Sequence, residues 1–363
     1  MADVLNHKCP GCGSPLRFDS SSQMLHCDSC GADLDVETVS QYDSEAENIE
    51  DGDSATWQNY DGQSWDHDNV NVHVCPSCGA EIVTEPTTAV TKCPYCDNVT
   101  VIGGKLSGAF RPDYVIPFRV SVDEARMCME NFCRKKPLLP RNFIEELHLE
   151  STQGLYVPFW LFDCAANARM TFIGTKVRHW SDNRYNYTET SRFRVFRRGE
   201  MAFSKIPVDG SQKADDTLMD SIEPFDYNAL SEFGTGYLSG FIADKYDVDA
   251  AESRPRANAR VKHSIEAALA ATVIGYSSVV PTSSAVNIAD GTVKYALLPV
   301  WMLHYNYHGK RFTYAINGQT GKTVGKLPIS RGKVAMWSGI VYASAAAAIA
   351  ALLAFVNFVA PLL

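Results

Sequence analysis

The residues with chemistry to offer are the cysteines. Eight of the eleven stand in pairs two residues apart: Cys9 with Cys12, Cys27 with Cys30, Cys75 with Cys78, and Cys93 with Cys96. Fourteen residues separate the first pair from the second, and fourteen again separate the third from the fourth, so one unit occurs twice. A C-x2-C turn puts two thiolates on one side of a tight loop, and two such loops close a tetrahedral four-thiolate site for Zn2+. Redox pairs and iron–sulfur ligation compete for the same spacing. With four thiolates committed, no coordination position stays open for a substrate, so the two expected Zn2+ sites are structural rather than catalytic. His7 and His26 lie beside ligands and are surplus to them.

Each site needs a small scaffold. Leu16 to Asp19 with Met24 to His26, and Glu81 to Glu85 with Ala89 to Lys92, read as short hairpins between knuckles. Gly13, Gly31 and Gly79 follow their knuckles and give the backbone its freedom to turn. Two zinc ribbons are therefore expected, over residues 1–34 and 72–104, and modules this small draw their folding energy from the metal. Between them, residues 35–71 are acidic and poor in aliphatic side chains, which predicts a disordered linker. Trp57, Tyr60 and Trp65 are unusual in such a segment and suggest an aromatic-acidic docking stretch within it.

From 105 to 330 the composition is that of a globular domain, and the pattern is α+β and rich in strands. Tyr114 to Val120 reads as a strand, Val122 to Arg134 as an amphipathic helix with Asp123 and Glu124 in its first turn, and Lys136 to Pro140 as its break. Leu155 to Phe162 opens a strand-rich stretch reaching about Pro207, and the similar phrase Leu297 to Leu303 opens another, as if one β unit occurred twice. In the second, Val300 to Tyr307, Lys310 to Ile316 and Thr323 to Leu327 form an antiparallel meander with turns at His308-Gly309 and Asn317-Gly318. A helix from about Pro255 to Ile274 lies between them. Cys128, Cys133 and Cys164 lack ligand spacing and read as core thiols.

Val334 to Leu363 contains no charged residue. About 20 apolar residues cross the ~30 Å hydrocarbon layer, so a transmembrane helix is expected here. Lys326, Arg331 and Lys333 before it, with Trp337 and Tyr342 at interfacial depth, predict a single-pass protein of the cell membrane with its N-terminal domains in the cytoplasm. Small residues at Ala335, Gly339, Ala343, Ala347 and Ala351 would let two such helices self-associate. No apolar run precedes Cys9, so the expectation is a part that is not exported, in a reducing compartment that favours metal over disulfides.

The net charge of -9 is local: twelve Asp or Glu and no Lys or Arg fall between Gly31 and His73. From Arg169 to Lys205 nine Lys or Arg face three acids, with Arg192 and Arg194 on one strand face. Such a run is ordinarily a solvated sheet face; its other readings are anionic lipid, the acidic linker or nucleic acid. Gly321-Lys322-Thr323 lacks the upstream glycine of a phosphate loop, since Ile316 stands there, and a turn rather than a helix follows. Gly236-Tyr-Leu-Ser-Gly240 holds its serine one place too late for a nucleophile elbow. His179, His263, His304 and His308 show no partnered spacing. No catalytic or cofactor-binding residue is assigned, and the chain does not read as an enzyme. The alternative is a nucleic-acid-binding ribbon protein of replication or transcription; the ribbons offer only Lys8, Arg17 and Lys92 for phosphates, which weighs against it.

The chain resembles the bacterial membrane-anchored TFIIB-type zinc-ribbon proteins, the YdjG-like family, some members of which carry a label borrowed from the primosomal helicase PriA. Carrying the resemblance are Cys9-Pro-Gly-Cys12 with Cys27-Asp-Ser-Cys30, Asp113-Tyr-Val-Ile-Pro-Phe118, Lys136-Pro-Leu-Leu-Pro140 and Tyr156-Val-Pro-Phe-Trp-Leu-Phe-Asp163. Pro207-Val-Asp-Gly-Ser211, Leu298-Pro-Val-Trp301 and Asn317-Gly-Gln-Thr-Gly-Lys322 extend it. The resemblance implies a role in envelope-stress modules, in which such a protein helps bring a flotillin-like SPFH protein, and a phage-shock-type protein, to the membrane. The helicase label finds no motor in these residues. The expectation for function is thus a tail-anchored adaptor whose zinc ribbons recruit partner proteins.

Overall fold

The computed structural model describes residues 9, 16–28, 31–39, 52–65, 71–84, 93–96, 98, 102–104, 110–140, 143, 152–307 and 310–354. It is a mixed α+β, strand-rich structure whose chain divides into two units. The first takes the described residues of 1–61 with 160–208 and 249–294; the second takes 62–159, 209–248 and 295–363. Both units draw on the span 105–330, which the sequence suggested as one domain.

In the first unit, strands β1 (Arg17–Asp19), β2 (Met24–His26) and β3 (Asp33–Leu34) make a small antiparallel sheet in that order. β1 and β2 are the hairpin expected between the first two knuckles, with Phe18 opposite Leu25. The larger part is built on the strands β9 (Gln153–Ser181), β10 (Asn186–Asp209) and β13 (Ser278–Tyr307), of which this unit holds the portions 160–181, 186–208 and 278–294. β10 pairs with β9. The helix α3 (Ala250–Ala271) supplies the apolar cover. Its buried residues Ala250, Ser253, Ala257, Val261, Ile265 and Leu269 recur every three or four positions, one stripe of a helix. Val261, Ile265 and Leu269 of that stripe pack with Met170, Phe172, Val195, Val286 and Ile288. The helix begins five residues before the expected Pro255, because Asp249 and Glu252 form a reciprocal capping box. Pro255 is accommodated inside it.

Residues 52–65 depart from the expected disordered linker. Strand β4 (Ser54–Trp57) pairs in parallel with β13, Asn287 opposite Ser54 and Ile288 opposite Ala55. Trp57 sets its ring edge-on to Phe162 at 5.0 Å and donates its indole N–H to Asn258 at 2.8 Å. Gly291 is where the chains come close: a Cβ there would meet the Trp57 ring at 2.2 Å. Asp53 accepts from Lys262 at 2.6 Å and from the backbone of Val286 at 3.1 Å. The acidic stretch thus meets α3 and β13 through these contacts. In the second unit, Trp65 is 1% exposed, edge-on to Phe233.

The second unit has a core of aromatic side chains. β8 (Tyr114–Val115) lies parallel to Ala296 and Leu297 of β13, and β11 (Ser231–Glu232) pairs with β8. β12 (Ile242–Asp244) lies parallel to Leu155 and Tyr156 of β9. Each of the two similar phrases therefore enters the core beside a short parallel strand. The Tyr114 to Val120 strand ends early, at Val115, and Phe118 leaves it to stack on Phe241 at 4.2 Å. The expected meander is present: β13 pairs with β14 (Lys310–Asn317), and β14 with β15 (Thr323–Gly325). The expected turn at His308-Gly309 lies outside the described residues. Helix α1 (Val122–Arg134) has the expected bounds, fixed by the Ser121–Glu124 capping box, and buries Ala125, Met129 and Cys133 against Trp301, Leu303, Tyr314 and Ile316 of the meander. Helix α2 (Asp216–Ile222) also belongs here.

The chain's described part ends in helix α4 (Arg331–Ala354). Its stretch Arg331–Leu353 has mean hydropathy 1.7 and none of it is buried, so it is long and apolar enough to cross a membrane.

Candidate metal centre

Cys75, Cys78, Cys93 and Cys96 come together with all four sulfurs within 4.8 Å of one another. Two cross-pair separations are 3.5 Å (Cys75–Cys96) and 3.6 Å (Cys78–Cys93). Those values are far beyond a disulfide bond, and close to the spacing of about 3.8 Å between two sulfurs that each sit about 2.3 Å from one tetrahedral ion. The residues fit a metal ion in donor number, donor type and spacing.

The backbone prepares the site. Gly79, at φ +73°, turns the chain after the first knuckle, so that its N–H reaches the carbonyl of Cys75 at 2.8 Å while Cys75 N–H reaches Ala80 at 2.9 Å. Glycine takes that conformation without the steric cost that a Cβ adds. The N–H groups of Ser77 and Cys78 point at the Cys75 sulfur, and those of Tyr95 and Cys96 at the Cys93 sulfur. Burial alone would raise the Cys75 thiol, yet these donors outweigh it and bring it down to about 7, which favours the thiolate a metal needs. At Cys93, burial dominates and pushes the thiol up.

The second knuckle is clamped onto the sheet of its unit. Tyr95 donates its hydroxyl to the buried carboxylate of Asp244 at 2.5 Å, and Ser211 donates to the same oxygen at 2.7 Å. Arg311 on β14 donates to the carbonyls of Tyr95 at 2.6 Å and Cys96 at 3.0 Å, and the His304 ring meets the carbonyl of Pro94. On the other side β6 (Glu81–Thr84) pairs with β12, and Lys245 of that neighbourhood binds Glu81 at 2.8 Å. β6 also pairs with β5 (Asn71–Val74), and β5 with β7 (Ile102–Gly104). The predicted partner of Glu81 to Glu85, the segment Ala89 to Lys92, lies outside the described residues. Tyr95 sits inside the Cys93–Cys96 loop and could have been singled out from sequence; Asp244, Ser211 and Arg311 carry no spacing signal that ties them to cysteines over 100 positions away.

For the first four cysteines, Cys9 and Cys27 are both buried, while Cys12 and Cys30 lie outside the described residues. Around Cys27 the backbone repeats the Cys75 knuckle: Gly31 has φ +72°, its N–H reaches the Cys27 carbonyl at 2.8 Å, and Cys27 N–H reaches Ala32 at 2.9 Å. His7 is likewise outside the described residues. His26 bonds Asp33 at 2.6 Å, which raises its pKa. Cys133 and Cys164 are buried, and burial raises both thiols to about 11, as core thiols should be; Cys128 is half-buried. In the basic stretch, Arg192 and Arg194 are exposed on the same face of β10.

Over 338 residues, 93% of this chain and 94% of the other, the sequence is 38% identical to the uncharacterized protein YdjG of Bacillus subtilis (strain 168). No protein-family profile matches the chain, and no solved structure matches it.

Proposed function

For a chain that belongs to the YdjG family and whose described part closes on a helix long and apolar enough to cross a bilayer, we propose the role of a membrane-anchored adaptor rather than an enzyme. The observation that carries this reading is α4: an apolar 23-residue stretch with no part of it buried has no place in water and needs another apolar medium. Lys326, Arg331 and Lys333 before it favour a cytoplasmic body. Zn2+ is the ion proposed for Cys75, Cys78, Cys93 and Cys96, because a closed set of four thiolates suits it and leaves no catalytic position. Cys9, Cys12, Cys27 and Cys30 are proposed to hold a second ion in a TFIIB-type ribbon. Partners are the class implied by the resemblance: a flotillin-like SPFH protein, with a phage-shock-type protein, in an envelope-stress module.

The two cysteine groups then divide the work. The group at 75–96 is bound by Asp244, Arg311 and His304 into its own unit and serves as a structural rivet. Recruitment falls to the ribbon of residues 1–34, which shows Phe18 on its surface. The test compares partner recovery from solubilised membranes for the intact chain and for Cys9→Ser/Cys27→Ser. We expect the partner to be lost while membrane attachment and the second metal persist; equal recovery would remove the recruiting role.

A further inference from the structure

Just before α4 the chain forms an apolar groove of 290 Å3, close to the lower limit of ligand pockets. Phe132 and Leu138 line one side, and Leu327, Pro328 and Ile329 the other. Ile329 is 65% exposed, so its side chain is available to an apolar partner. The groove is fixed to the first turn of α4. Ser330 N–H donates to the carbonyl of Leu138 at 2.9 Å, and Lys333 donates its ammonium to the carbonyl of Leu139 at 2.6 Å.

The two segments that form the groove are cationic in sequence. Residues 134–140 and 326–333 together carry Arg134, Lys135, Lys136, Lys326, Arg331 and Lys333, and no Asp or Glu. Arg134 is partly engaged by Glu130 at 3.6 Å, whereas Lys136 stands over the Phe132 ring at 5.0 Å with its head at the groove's edge. An apolar slot with the Lys136 ammonium at its edge, formed by two segments that carry further cations, matches a molecule with a hydrocarbon body and an anionic head.

We infer that this groove binds an anionic phospholipid of the bilayer that α4 enters, seating acyl chain between Leu138 and Ile329 and phosphate among Lys136, Lys326 and Arg331. The inference rests on the membrane reading of α4. Continuity decides between occupants: a groove pinned to the first turn of a spanning helix lies at headgroup depth, where lipid headgroups and the upper parts of acyl chains are its neighbours. The bound lipid holds the second unit against the membrane surface, instead of leaving it to swing from a bare helix end.

The experiment uses the full chain in vesicles with photoactivatable phosphatidylglycerol or the matching phosphatidylcholine, after flotation, with cross-linked peptides mapped. Expected are labels on 132–140 and 326–330 that are several-fold stronger with phosphatidylglycerol. Ile329→Glu should abolish them, and Lys136→Ala/Lys326→Ala should erase the preference for the anionic lipid. Ile329 is exposed, so its replacement leaves the core intact, which an unchanged melting profile checks. Labels confined to residues beyond 333, labels equal for both lipids, or a protein–protein cross-link filling the groove would each overturn the inference while α4 stays a membrane helix. Failure of the chain to float would overturn the membrane reading and the groove with it.

Discussion

Arg311 reaches the carbonyls of Tyr95 and Cys96 from β14, so a side chain from the meander holds a metal knuckle more than 200 positions earlier. Arg311→Ala removes two bonds from a charged donor, a loss of about 1–3 kcal/mol. The expected result is a lower melting temperature and, for protein loaded with Zn2+, faster extraction of the ion from the 75–96 cysteines by a chelator; an unchanged extraction rate would mean that the thiolates hold the knuckle unaided. Asp244 makes a prediction in pH. It is buried, and that burial raises its carboxyl from 3.8 to about 7, although bonds from Tyr95 and Ser211 oppose the rise, with Asp247 and Lys213 nearby pulling in opposite senses. Between those pH values the folded carboxyl holds a proton that the unfolded chain has released. This group's contribution to stability therefore declines as pH rises from about 4 to 7 and stays at its lower level above that, by the linkage of proton uptake to folding. Release at low pH of an ion bound to the cysteines would act in the opposite sense, so the informative quantity is the difference from Asp244→Asn. In denaturant titrations across that window, the stability of Asp244→Asn relative to the parent should grow as pH rises; a constant difference would place the ionisation elsewhere.

At the scale of elements, β4 puts the sharpest question. Trp57→Ala should cost about 2–3 kcal/mol, somewhat under the value for a fully buried ring, because it loses the contact with Phe162 and the bond to Asn258. A solvated linker would register a change within about 0.5 kcal/mol, which equilibrium unfolding distinguishes. The acidic composition of 35–71 hid this strand because composition reports only what a segment can bury by itself. What orders β4 is remote: Asn287, Asn258 and Lys262 lie some 200 positions away. Elements whose determinants are local were readable. Helix α1 could be bounded because Ser121, Glu124 and the apolar stripe all lie within its own fourteen residues. The meander was readable from strand patterns and turn residues, and the thiolate group at 75–96 from spacing alone. The start of α3 was misplaced at Pro255 because a proline suggests a first turn, whereas the Asp249 capping box sets the boundary earlier. The clamp of Asp244, Ser211 and Arg311 stayed hidden for the same reason as β4.

For the whole molecule, the membrane reading of α4 carries the predictions about where the rest works. The stretch Arg331–Leu353 spans 23 residues, roughly 35 Å at 1.5 Å per residue, enough for a hydrocarbon layer of about 30 Å. Cations mark its start: Arg331 and Lys333 open the helix and Lys326 precedes it. Carrying such a cluster across the bilayer is unfavourable, so the two units should remain on the cytoplasmic face. Protease added to intact spheroplasts should therefore leave the chain whole, and only permeabilised ones should yield digestion within the two units. A chain ending at Ser330 should leave the membrane fraction for the soluble one. Digestion in sealed spheroplasts would reverse the orientation and place the thiolate sites in an oxidising compartment, where four closely spaced cysteines would be drawn toward disulfides rather than metal.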